Sequence, residues 1–81
     1  MKLRVKLFAV ARQRVGKDEI EVELPGRATV RQLRGALAQQ FPPLAAVLGH
    51  VRLAVDSEYA NDALELTPAA EVAIIPPVSG G

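Results

Sequence analysis

The residue types most suggestive of chemistry stand in the last six positions, Pro76-Pro77-Val78-Ser79-Gly80-Gly81. Two prolines stiffen this segment toward polyproline II, so it can project roughly 18 Å at ~3.1 Å per residue. Two glycines follow with no side chain, which leaves the α-carboxylate of Gly81 as the group on offer. A carboxylate is a poor electrophile until a partner uses ATP to join it to AMP. A sulfur nucleophile can then displace AMP and leave a thiocarboxylate, one hard step divided into easier ones. Enzymes acting on such a tail must admit it through a narrow channel. A Cβ at position 80 or 81 would crowd that approach, and glycine reaches backbone angles closed to other residues. Composition alone yields a Gly-Gly end in about one chain in 200, so the pattern gains weight from what precedes it.

Side chains elsewhere offer few alternatives. The chain has no cysteine, which excludes disulfides and thiol chemistry of its own. His50 is the only histidine, and no Asp/Glu cluster has an evident ligand spacing, so no metal site is expected. No nucleophile–base pair suggests a self-sufficient enzyme. No permanently bound cofactor is expected; ATP would be used by an activating partner, and sulfur would be carried at Gly81.

Eighty-one residues allow one domain and one core, with little material for a deep cleft. Any site should then be on the surface or at an end. Residues 1–41 hold nine Lys/Arg and four Asp/Glu, a net +5, whereas residues 42–81 hold one Arg and five Asp/Glu, a net −4. Such a division reads either as two solvated faces or as a dipole that orients on a charged partner. The basic residues are not interleaved with stacking aromatics, so nucleic acid is not an expected partner. Lys2, Arg4 and Lys6 interrupt any secretory signal, and no apolar run approaches the ~20 residues that span a bilayer. A soluble, cytoplasmic protein with no membrane contact is expected.

The elements that must position the tail follow from hydrophobic periodicity. Residues 1–8 alternate, with Leu3, Val5 and Leu7 against Lys2, Arg4 and Lys6, as in a half-buried strand. Residues 19–24 repeat the pattern with Ile20, Val22 and Leu24 against Glu19, Glu21 and Glu23. Antiparallel pairing would set a basic row beside an acidic one, each cross-strand pair adding roughly 0.2–1 kcal/mol. The connection leaves room for one helical turn ending near Gly16. Pro25-Gly26 breaks the second strand. Thr29 and Gln32 then form a capping box, and Val30, Leu33, Leu37 and Phe41 make one apolar stripe of a helix that Pro42-Pro43 ends.

A short helical turn is expected over residues 43–49, a strand over 51–55, a turn at Asp56-Ser57 and a short strand over 58–60. Residues 61–70 read as loop, with room for one turn around Leu64. In residues 71–76, Val72 and Ile74 share one face and Ala73 and Ile75 the other, which suits a central strand. The order β, β, α, β, β, β predicts an α+β protein: a β-grasp, ubiquitin-like mixed sheet of about five strands with one main helix on one face. The domain would span residues 1–75, with residues 76–81 an extended, flexible tail.

Four segments carry a resemblance: KLRVKLF at 2–8, TVRQL at 29–33, VRLAVDSEY at 51–59 and, most specifically, EVAIIPPVSGG at 71–81. Over essentially its whole length the chain resembles the MoaD family, the small sulfur-carrying subunits of molybdopterin synthase. The resemblance implies that a MoeB-like adenylating enzyme joins AMP to Gly81. A sulfur donor, such as a cysteine desulfurase relay, would then convert Gly81 to a thiocarboxylate. Pro76, Pro77, Val78, Ser79 and Gly80 would thread the tail into the large subunit, MoaE. Sulfur would pass there to cyclic pyranopterin monophosphate, and a heterotetramer of two small and two large subunits is implied.

Sulfur carriers of the thiamine and tRNA-thiolation pathways, and ubiquitin-like modifiers that conjugate to lysines, also end in Gly-Gly but generally lack the Pro-Pro-Val exit. Two departures from the family pattern, Asp56 for a frequent Asn and Pro68-Ala69-Ala70 for a Gly-Asp turn, concern loops. Phe8, Tyr59 and Ile75 are candidate partner-interface residues, because large apolar groups near strand ends can serve as docking anchors. Arg12, Arg14, Arg31 and Arg34 are expected to face solvent.

Overall fold

The computed structural model describes residues 1–76. Alternation of apolar and charged residues makes Lys2–Leu7 a strand, β1, that buries Leu3, Val5 and Leu7 and exposes Lys2, Arg4 and Lys6. β2 (Glu19–Glu23) buries Ile20 and Val22 in the same way. The two pair antiparallel with Lys2 opposite Glu23, Arg4 opposite Glu21 and Lys6 opposite Glu19, so the basic and acidic rows do lie side by side. Met1 and Leu24 exchange both backbone hydrogen bonds. The charged pairs are therefore the non-hydrogen-bonded ones, in which side chains come closest.

Between these strands, α1 (Ala9–Val15) fills the connection with seven residues, more than the single turn expected. Its end is the predicted one: Gly16 takes φ 81° and donates its N–H to the Arg12 carbonyl. α2 (Val30–Gln40) begins with the predicted capping box. The Thr29 N–H donates to Gln32 Oε1 at 2.8 Å, and the Gln32 N–H donates to Thr29 Oγ1 at 3.4 Å. The next free N–H groups, of Val30 and Arg31, donate to the carbonyls of Leu64 and Asp62, so the 61–65 loop completes the cap. At the other end, the Gln40 amide both accepts from the Glu23 N–H and donates to its carbonyl, tying the helix to the free edge of β2. A 3₁₀ turn (Pro42–Leu44) follows Phe41.

β3 (Arg52–Val55), β4 (Glu58–Tyr59) and β5 (Val72–Ile75) complete one mixed five-stranded sheet in the order β2-β1-β5-β3-β4. Only β1 and β5 are parallel, with Val5 opposite Val72, Lys6 opposite Ala73 and Leu7 opposite Ile74. This is the expected β-grasp arrangement, with β5 in the centre. Its helices occupy one face, where Leu33, Leu37, Leu44, Leu53, Val72 and Ile74 join the strands' inward side chains in one cluster. Each such side chain contributes roughly 1.5–3 kcal/mol by leaving water. Among the described residues no polar or charged residue is buried, and no helix is long and apolar enough to cross a membrane.

One expectation fails. Arg34 does not simply face solvent: its side chain is half-buried, with Nη1 donating to the Leu48 carbonyl at 2.9 Å and Nε to Asp62 Oδ1 at 3.3 Å. Its apolar stem lies along the protein while its head staples α2 to two loops. Arg12, Arg14 and Arg31 are exposed, and Arg12 pairs with Asp18.

Candidate functional site

A strand in the middle of a sheet with helices on one side has a second side to account for. Alternation along β5 sends Val72 and Ile74 inward and Ala73 and Ile75 to the open face. Register then assembles the rest of that face. Lys6 and Ala54 flank Ala73, Tyr59 lies beyond Ala54, and Arg52 lies opposite Ile75. Because β1 and β5 run parallel, the chain leaves β1 at Phe8 on the same side of the sheet as it leaves β5 at Pro76.

The consequence is a shallow depression of about 330 Å³ on the open face. Ala54 and Ala73 are small enough to form its floor, and Phe8, Tyr59 and Ile75 rise around it. Phe8 is 46% exposed and Tyr59 59%, unusual for residues of that size when 22 apolar residues are buried among the described ones. Lys6 and Glu71 stand on the rim. The Arg52 guanidinium lies 4.5 Å from the centroid of the Tyr59 ring, a cation–π contact that holds both side chains.

Two turns place these groups. Asp56 and Ser57 both have positive φ, 51° and 70°, as a two-residue β3–β4 hairpin requires. The Asp56 N–H donates to the Glu71 carbonyl, and Asp56 Oδ1 accepts the Glu71 N–H at 2.9 Å. The residue read as a departure at the turn therefore fixes the start of β5.

The three candidate interface residues, Phe8, Tyr59 and Ile75, are thus gathered around one surface, and Phe8 is not core. Pro76 is half-buried at the end of the described chain. Pro77, Val78, Ser79, Gly80 and Gly81 lie outside the described residues. Sequence reasoning passed over Ala54, Ala73 and Arg52. Ala73 reads in the sequence only as sharing a face with Ile75, and Ala54 carries no signal until strand order puts the two side by side. Arg52 did carry one, as the single cation in the acidic half of the chain. Among the described residues no group of three His, Cys, Asp or Glu could hold a metal ion. The face as built presents an apolar hollow with charged side chains at its rim.

Comparison with known proteins agrees with this geometry. The model of the ThiS family matches residues 5–81. The molybdopterin synthase sulfur carrier subunit of Caenorhabditis briggsae is 42% identical over 81 residues, covering 98% of this chain and 96% of that protein. Among solved structures, small archaeal modifier protein 1 of Haloferax volcanii superposes with a TM-score of 0.88 at 28% identity, covering all of both chains. A Pyrococcus furiosus protein assigned as subunit 1 of molybdopterin converting factor superposes with a TM-score of 0.84 at 33% identity, covering 95% of this chain and 98% of that one.

Proposed function

The chain belongs to the ThiS family, and from that premise we propose that it is the sulfur-carrying subunit of a molybdopterin synthase. The observation that supports this best is the exit of β5. The strand at the centre of the sheet leads straight from Ile75 into Pro-Pro-Val-Ser-Gly-Gly, within a full-length likeness to a sulfur carrier subunit. A MoeB-like enzyme joins the Gly81 carboxylate to AMP and releases pyrophosphate from ATP. The outer sulfur of a persulfide on a donor such as a cysteine desulfurase relay then attacks the acyl carbon. The C–O bond to AMP breaks and AMP leaves. A second thiol of the relay then cleaves the S–S bond, becoming oxidised to a disulfide with the donor, and Gly81 retains a C–S bond as a thiocarboxylate.

The tail delivers that sulfur inside the large subunit, MoaE, to cyclic pyranopterin monophosphate, and a water oxygen restores the carboxylate. The large subunit supplies the substrate pocket and the acid–base groups. This chain contributes the reagent and a docking face made by Phe8, Tyr59 and Ile75. Pro76, Pro77, Val78, Ser79 and Gly80 thread the channel.

Incubation of the chain with its activating enzyme, ATP and sulfide tests the proposal. Intact mass should show one oxygen replaced by sulfur, and fragmentation should place the change on Gly81 rather than on an oxidised Met1. A variant lacking Gly81 should gain no sulfur and support no molybdopterin synthesis. Normal synthesis by that variant would refute the reading. The fold likeness to a small archaeal modifier protein favours one other reading, in which Gly81 forms isopeptide bonds with lysines. The same incubation with cell extract then gives conjugates of higher mass in place of a free thiocarboxylate.

A further inference from the structure

The single cation of the acidic half stands where the tail begins. Residues 42–81 contain five Asp/Glu and one Arg, Arg52. Among the described residues Arg12, Arg27 and Arg34 each pair with a carboxylate, and Arg52 pairs with none. Its guanidinium lies against the exposed Tyr59 ring instead. Register sets it opposite Ile75, the last residue of β5, on the open face. Stacking orders a long side chain in advance, so less rotamer freedom remains to be lost in a later contact. The charges that line the depression itself sit differently: Lys6 faces Glu19 across the sheet, and Glu71 lies at the far end of β5. The exit end therefore presents an uncompensated, pre-ordered positive charge beside an apolar hollow.

We propose that Arg52 is a specificity-determining contact of the docking face, which pairs with a carboxylate that the large subunit holds beside the mouth of its tail channel. This rests on the sulfur-carrier reading and adds the chemistry of the partner's rim. An apolar side chain enters the hollow between Phe8, Tyr59 and Ile75, and an Asp or Glu next to it meets the guanidinium. The planar fork of Arg suits a carboxylate in two-point contact. A charge at an interface rim acts chiefly on the encounter rate and its salt dependence.

The test is the rate at which the intact chain associates with the purified large subunit from the same organism, at low and high salt. The variants are Arg52→Gln and Arg52→Glu. At low salt Arg52→Glu should associate about tenfold more slowly than the parent, with Arg52→Gln between, and high salt should remove most of the difference. An Arg52→Glu variant with the parent's rate and salt slope overturns the proposal. So does an equal loss at every salt concentration, which would mean that Arg52 only holds Tyr59 in place. Thiocarboxylate formation on the parent chain is measured alongside. If the parent gains sulfur and binds while Arg52→Glu is unaffected, this proposal alone fails; if the parent does neither, the sulfur-carrier reading fails with it.

Discussion

The two faces of β5 show one strand serving two purposes. Toward the helices, Val72 and Ile74 are fully enclosed; toward the open side, Ala73 and Ile75 are only half-buried, with the exposed Phe8 and Tyr59 beside them. Backbone, register and distance along the chain are shared, so the difference lies in what covers each side. An inward apolar residue is accounted for by the cluster around it. An outward one is left in water at a cost, and in this chain four of them converge at the point where the tail departs. Apolar surface gathered at a chain exit is the mark of a face that a partner completes.

The sharpest way to break this contrast is to cut both isoleucines back to alanine. Ile74→Ala removes three carbons from a site with 0% exposure and should cost about 2–5 kcal/mol of stability, measured by urea denaturation. Ile75→Ala, one residue away, should cost under about 1 kcal/mol because its side chain is already partly wet. Its effect should appear in binding to the large subunit, weakened by about 1–2 kcal/mol as for a central interface contact. Equal stability losses at the two positions would make the open face part of the core and remove the reason to assign it to a partner.

The inner face was more legible in the sequence than the outer one, for physical reasons. Burial imposes a period: Leu3, Val5 and Leu7 against three cations, and Ile20 and Val22 against three glutamates, determined strand, face and pairing together. The two-sided apolar character of residues 72–75 correctly placed β5 in the centre. Local chemistry was equally readable in the Thr29–Gln32 box and the Gly16 cap. Contacts between distant segments were not. Arg34 finds Leu48 and Asp62, 14 and 28 residues away, so nothing near it in sequence announces its burial. Ala54 and Ala73 are unremarkable until the sheet order makes them neighbours. Phe8, Tyr59 and Ile75 could be named from size and position, but their convergence on one depression needed the register.

A smaller effect tests how α2 is held over the inner face. Thr29→Ala removes the hydroxyl that accepts the Gln32 N–H, and should cost about 1 kcal/mol. The loop carbonyls of Leu64 and Asp62 still cap Val30 and Arg31, which argues for the lower part of the range known for such caps. A loss above about 2 kcal/mol, read as a shift in the denaturation midpoint, would mean that the loop depends on the cap and the two act as one unit.

The smallest predicted change concerns the turn that presents Tyr59 on the outer face. Two places where the chain must adopt positive φ are filled differently. Gly16 ends α1 at φ 81°, where glycine meets no steric penalty, whereas Ser57 holds φ 70° with a Cβ in place. Asp56, also at positive φ, is compensated by the hydrogen bond its carboxylate accepts from Glu71. Ser57 has no such compensation among the described hydrogen bonds. Ser57→Gly removes the strain at the second central position of the hairpin but gives the unfolded chain more freedom, and these terms oppose each other. The strain is the larger, so stability should rise by about 0.5 kcal/mol. A fall in the melting temperature would show that the Ser57 side chain supports the outer face in a way its backbone angle does not reveal.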